Sequence, residues 1–344
     1  MKSETPYNGL YCDNRMGGWP KYYLGHKPAN ADMRIPDEYL DGVVFLCVRK
    51  TAKSGLEEID YFIGTAFLIS EPTSFEGQRI FYLVTAKHLI EEWTKAGYDI
   101  SARFNTKDGQ SITVKIGNYW HFSDNPAVDV AVMSIPVAVI PDLKLNAIPI
   151  ENFATDEVIE RERIGIGDDV FAIGLFNQKW GHARNAPVMR TGIIASMPQE
   201  PLEKLLPNGE VGSRSAYLIE IRSIGGLSGS PVFANLPYWR PGPNMFESMV
   251  GLGDLKLRWT MHLLGLISGH WELEKQDSVA DSLTDAAPRS EEIDSLNTGI
   301  AIVSPIHEVV KILASDAVME MKKKAEIAYI EQFQPTDDSG SEIP

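Results

Sequence analysis

A serine set among glycines, between two apolar runs, occurs at Ile224-Gly225-Gly226-Leu227-Ser228-Gly229-Ser230-Pro231-Val232. The β-branched run Ala216–Ile221 precedes it and Val232-Phe233 follows, so the stretch reads as a tight loop between two strands. Glycine at 225, 226 and 229 opens backbone conformations closed to residues with a Cβ and lets a ligand approach the main chain. A serine held there is either a turn residue or a nucleophile. Its hydroxyl becomes reactive when a neighbouring base takes its proton, and that base is usually an imidazole oriented by a carboxylate. Ser230 is the weaker candidate because it already enters the strand before Pro231. The G-x-S-x-G elbow is not met, since position 230 is serine.

Of seven histidines, His88 stands out. It follows the apolar strand Ile80-Phe81-Tyr82-Leu83-Val84 through Thr85-Ala86-Lys87, and a short helical turn is expected over Leu89–Trp93. That places a polar ring just past the end of a buried strand. For the carboxylate, Asp129 opens the apolar run Asp129-Val130-Ala131-Val132-Met133. An acid there is costly without a partner. It reads equally as a strand-end cap or as the group that orients the imidazole. Asp124 is the runner-up, in a Ser-Asp-Asn-Pro turn context.

The elements that must position these residues are short and β-patterned. Runs over Gly42–Arg49, Tyr61–Ser70, Arg79–Thr85, Ile100–Phe104, Ser111–Ile116 and Val128–Ile135 are separated by turn-type residues, and six strands at this spacing predict a closed antiparallel barrel. Residues 136–166 read as a connector with a helical piece near Glu157–Arg163. A second series follows at Asp169–Leu175, Val188–Ser196, Ala216–Ile221, Ser230–Phe233, Leu263–Ser268 and Thr298–Val303. It is interrupted by insertions at Asn235–Thr260 and Glu272–Asn297. The latter holds eight acidic residues against Lys275 and Arg289 and reads as a mobile loop. Helical periodicity runs from His307 through Ala314 to Phe333, before an acidic tail.

With 44% apolar residues in 344, the chain can bury a full core. A net charge of −15 without a basic stripe argues against a nucleic-acid partner. No stretch approaches the roughly 18 apolar residues of a membrane helix, and Met1–Pro20 lacks the apolar segment of a signal peptide. Two cysteines, Cys12 and Cys47, are few for an extracellular protein, so a reducing cytoplasm is expected, with Cys47 a core residue. Neither metal-ligand spacing nor a phosphate loop is present, so no cofactor and no metal are expected.

Together, Gly64-Thr65-Ala66-Phe67-Leu68, Val84-Thr85-Ala86-Lys87-His88, Asp129-Val130-Ala131-Val132 and Gly226-Leu227-Ser228-Gly229-Ser230-Pro231 resemble the chymotrypsin-like (trypsin-like) serine proteases. The His, Asp, Ser order is that of this family. Gly167–Gly174, Leu264–Gly269 and Asn297–Ala301 fall in sequence with it, and the resemblance covers about Gly42 to Ala314. It implies an all-β fold of two tandem six-stranded antiparallel barrels with a C-terminal helix and an N-terminal extension. The corresponding divisions are 1–40 for the extension, 41–137 for the first barrel with His88 and Asp129, 138–166 for the connector, 167–314 for the second barrel with Ser228, and 315–344 for the helix end and tail.

The resemblance further implies a serine endopeptidase acting on a polypeptide substrate, with His88 as general base, Asp129 as its orienting carboxylate and Ser228 as nucleophile. The N–H groups of Gly226 and Ser228 would form the oxyanion hole. Leu264–Gly269 would be the substrate-pairing strand. An ungapped alignment puts Arg222 near the base of the side-chain pocket and His270 on its wall after Ser268 and Gly269, favouring an acidic substrate residue. Against that, Glu220 and Arg222 share a strand face and could simply pair. Leu227 stands where zymogen-activated members carry an aspartate that pairs with a freshly cut N-terminus, so that switch is expected to be absent. No PDZ-like module is expected after the protease region, which weakens the comparison with HtrA-type chaperone-proteases. The alternatives are a catalytically silent barrel used for protein binding, and an autoinhibited protease gated by the acidic loop or the extension until a regulatory partner arrives.

Overall fold

The computed structural model describes residues 35, 37–51, 58–75, 77–117, 119–135, 142–144, 146–206, 208–222, 226–236, 260–273 and 296–333. Nearly all of the expected N-terminal extension, the inner parts of both insertions and the acidic tail lie outside them, as does Cys12.

Sixteen strands are described. The first half holds β1 (Val43–Thr51), β2 (Glu58–Pro72), β3 (Arg79–Thr85), β4 (Ile100–Asn105), β5 (Ser111–Lys115), β6 (His121–Phe122), β7 (Ala131–Ile135) and β8 (Ile148–Pro149). The second holds β9 (Asp169–Gly174), β10 (Val188–Ser196), β11 (Leu202–Leu205), β12 (Val211–Arg214), β13 (Tyr217–Ile221), β14 (Pro231–Leu236), β15 (Thr260–Leu273) and β16 (Leu296–Pro305). Helices are α1 (Asp37–Asp41), α2 (Lys87–Lys95), α3 (Asp156–Glu162), α4 (Ile306–Leu313) and α5 (Asp316–Phe333). From Asp37 onward both halves belong to one compact unit.

In the second half β10-β13-β16-β15-β14-β9 pair into a closed barrel. Period-two burial explains the closure. Along β13, Tyr217, Ile219 and Ile221 are buried while Leu218 and Glu220 are less so. The buried set packs with Val170, Ala172, Ile194, Leu264, Ile267 and Val303 into one apolar cluster. All six strands of the second predicted series appear here. The hairpin β11–β12 was not foreseen, because its four-residue strands alternate weakly and each is half exposed.

The first half departs from the expected barrel. Its strands form a sheet in the order β5-β4-β1-β2-β3-β7-β6, with β8 paired to β2, and among the described residues no pairing joins β5 to β6. Closure needs a long enough partner at each edge, and β6 offers two residues. Its core is nevertheless dense, with Phe45, Phe67, Leu68, Leu83 and Val132 at most 1% exposed. Cys47 lies in it, and burial, helped by Asp60, pushes its thiol up to about 12, so it is a core residue as expected.

The connector carries β8, a 3-10 turn at Ile150–Asn152 and α3, whose N-cap Thr155 accepts from the Val158 N–H. The single C-terminal helix of the sequence reading is two helices, α4 and α5, parted at Ala314-Ser315.

Candidate active site

Strand β3 ends at Thr85, and α2 begins two residues later, so His88 occupies the first turn of a helix. The helix is set against the sheet by Leu89 and Ile90, both buried, and by Trp93, whose ring lies 5.7 Å from that of Tyr61 with Lys50 Nζ over both. Asp129 does not open a strand as the apolar run suggested. It sits in the segment just before β7, where no ladder claims it. Its carboxylate takes two hydrogen bonds from one residue. The His88 main-chain N–H donates to Oδ1 at 2.8 Å, and the ring Nδ1 lies 2.7 Å from Oδ2.

This double contact fixes the ring as well as the helix start. With Nδ1 donating to the carboxylate, Nε2 is left as the basic nitrogen. Burial of Asp129 acts to raise its pKa. The hydrogen bonds from His88, the charge on that ring and the charge on Lys204 outweigh burial and hold the carboxyl below the usual range. Asp129 is therefore a nearly buried anion beside an imidazole whose side chain keeps 27% of its exposure.

Ser228 reaches the same place from the other half. It lies on a turn between Gly226, at φ +102°, and Gly229, at φ +81°. Both angles fall where a side chain is strained, and at 229 a Cβ would stand 2.0 Å from the Thr65 carbonyl oxygen. The turn is held from two directions. On the barrel side, Gly229 N–H donates to Ile267 O at 2.7 Å and Ser230 N–H to Leu227 O at 2.9 Å. On the sheet side, Thr65 N–H donates to Ser228 O at 2.9 Å, and Thr65 Oγ1 donates to Gly226 O at 2.8 Å while accepting from Leu175 N–H at 2.8 Å. Thr65 itself is held by the Thr85 hydroxyl, which donates to its carbonyl oxygen at 2.7 Å.

His88, Asp129 and Ser228 line one cavity of about 400 Å³, together with Ser268, Gly269 and His270. Thus the three residues of the sequence reading meet, and three of the four expected substrate contacts meet them. Arg222 does not. It is exposed and lines a separate cavity with Gly192, Glu220 and Thr298. Two cations absent from the sequence reading stand in the site instead: Lys204 and Arg214, both from the β11–β12 hairpin. Neither carries a motif, and the only sequence signal would have been recognising that hairpin. A second cavity of about 560 Å³ opens on the other flank of His88, between α2 and the same hairpin.

The Ser228 hydroxyl and main-chain N–H have no hydrogen-bond partner among the described residues. A main-chain N–H without a protein partner, on a residue that lines the cavity, leaves a donor for charge developing on a carbonyl oxygen. Ser230, by contrast, is fully buried and its Oγ touches no polar partner. Leu227 is likewise fully buried, inside the barrel's apolar cluster. Among the described residues no group of three or more His, Cys, Asp or Glu could hold a metal ion, and no helix is long and apolar enough to cross a membrane.

No protein-family model matches the chain, and no curated protein does. Among solved structures it is similar to the Rv3671c protease from M. tuberculosis in its active form, at 18% identity and a TM-score of 0.42, over 80% of this chain and 81% of that one. It is similar also to Deg5, at 15% identity and a TM-score of 0.44, over 80% and 88%. The inactive form of the Rv3671c protease gives 18% identity and a TM-score of 0.38, over 80% and 89%. At such identities and scores, function has to be argued from the site itself.

Proposed function

We propose that the protein is a serine endopeptidase that cleaves polypeptides through an acyl-enzyme. His88 Nε2 takes the proton from Ser228 Oγ as the oxygen attacks the scissile carbonyl, and returns it to the leaving amine. Asp129 holds the ring in the tautomer that leaves Nε2 basic and stabilises the imidazolium as it forms. The N–H groups of Gly226 and Ser228 receive the oxyanion. Ser268, Gly269 and His270, on the cavity wall, receive the substrate chain. Water then attacks the acyl-enzyme with His88 again as base.

The observation that carries this reading is the bidentate grip of Asp129 on His88 at 2.7 and 2.8 Å, in a cavity shared with Ser228. A nearly buried carboxylate spent on one imidazole makes little sense in a pure binding module. No hydrogen bond joins Ser228 Oγ to the imidazole among the described residues. Catalytic hydrogen bonds commonly tighten only when substrate is bound.

A fluorophosphonate probe tests the reading. It should label the wild-type protein at one serine, and both S228A and H88A should abolish labelling while melting like wild type. A well-folded wild type that never labels, with or without a peptide ligand present, would refute this reading and leave the silent or partner-gated barrel.

A further inference from the structure

The wall beside Ser228 carries a cation that the acyl-transfer reading does not use. Arg214 ends β12 and is 8% exposed. Its Nε is buried without a hydrogen-bond partner among the described residues, and its Nη1 reaches only Ser268 Oγ, at 3.4 Å. That distance is long for an N–H···O bond. A guanidinium presents five donors in a fixed fork and stays charged in proteins, so burying it half-satisfied is expensive. The anion whose charge acts on it is Asp129, whose two oxygens each already take a contact from His88.

The hairpin register adds a second cation. Leu202 pairs with Arg214 and Lys204 with Gly212, so Lys204 and Arg214 project from the same face of β11–β12. That face is the less exposed one at positions 202 and 204, and both cations line the cavity that holds Ser228. The other carboxylate on this cavity, Glu203, is exposed and lies on the opposite face of its strand. The pocket beside the nucleophile is therefore short of one buried negative charge.

We infer that Arg214 and Lys204 form a subsite for the side-chain carboxylate of an aspartate or glutamate lying within a few residues of the bond to be cut. The fork of Arg214 takes the carboxylate oxygens, and Lys204 adds a point charge at the rim. The inference rests on the endopeptidase reading and names its substrate class. It also relocates the basic element: the sequence suggested Arg222, and the fold supplies Arg214.

The test uses the full chain and two kinds of reagent. A small fluorophosphonate with no peptide portion reports whether Ser228 is a nucleophile. Pairs of tetrapeptidyl phosphonates, identical except for Glu or Gln at one position in turn, report the subsite. At one position the Glu reagent should label about 10- to 100-fold faster than its Gln twin, the range of a charge-assisted hydrogen bond. That ratio should fall to near one in R214Q, be partly kept in R214K and drop several-fold in K204Q. Equal Glu and Gln rates at every position, with the small reagent still labelling, overturn the subsite alone. No labelling by the small reagent overturns the endopeptidase reading and the subsite with it. Were Arg214 acting only through Asp129, R214Q would slow both twins alike and keep their ratio, which also overturns the proposal. If R214Q does not fold, K204Q decides: an unchanged ratio there sinks the inference.

Discussion

The main-chain N–H of Thr65 donates to the carbonyl oxygen of Ser228 at 2.9 Å, so a strand of the first sheet holds the residue proposed as nucleophile in the second half. The Thr65 hydroxyl completes the clamp by bridging Leu175 N–H and Gly226 O. The two halves are tied elsewhere too: Arg103 Nη1 and Nη2 donate to Gly181 O and His182 O, each at 2.8 Å. Among the described residues, only at Thr65 does a hydrogen bond from the first half touch the serine turn. Its fully buried side chain makes it a positioning residue.

Thr65→Val keeps the shape and removes the hydroxyl. It leaves Leu175 N–H and Gly226 O without their partner, and a buried group orphaned in this way costs about 1–3 kcal/mol. Denaturant unfolding should show that loss, and the fluorophosphonate rate should fall as the turn loosens. Thr65→Ser should restore both. A normal labelling rate in Thr65→Val would mean the clamp holds the fold and not the nucleophile.

Ser228 and Ser230 should separate cleanly. Ser228→Ala should lower turnover by several orders of magnitude without affecting stability. Ser230→Ala should keep labelling and be neutral or slightly stabilising, because it deletes a buried hydroxyl that has no partner. The reverse result would reassign the nucleophile.

Asp129 sets an acid dependence whose sign follows from its pKa. The carboxyl is held below the ordinary range by His88 despite burial, so the unfolded chain takes up its proton first. Its contribution to stability is then complete above the unfolded value of about 3.9 and fades as pH falls through the lower folded value. The stability gap between wild type and Asp129→Asn should therefore narrow below about pH 4 and stay flat above it. Chemical denaturation at a series of pH values measures this. Activity of Asp129→Asn should fall by orders of magnitude at neutral pH, through loss of the correct imidazole tautomer.

Leu227 offers a test of the barrel core beneath the turn. Leu227→Asp would place an unpaired charge in an apolar cluster at a position with no exposure. It should cost about 3–5 kcal/mol, and thermal melting would show it. A mild effect would mean that a cation is within reach of position 227.

Local chemistry was legible in the sequence. Glycines around Ser228, a histidine just past an apolar strand and an acid beside another are properties of short segments, and so is the period-two pattern that gave the six strands of the closed barrel. Strand edges near Asp129 were misplaced because an apolar run continues through Val130 whether or not it pairs. That the first sheet stays open, that Thr65 clamps the serine turn and that Arg214 rather than Arg222 lines the cavity of Ser228 were decided by tertiary structure. Each depends on which distant strand lies alongside, and the burial of a charge is decided by neighbours that its own segment does not contain.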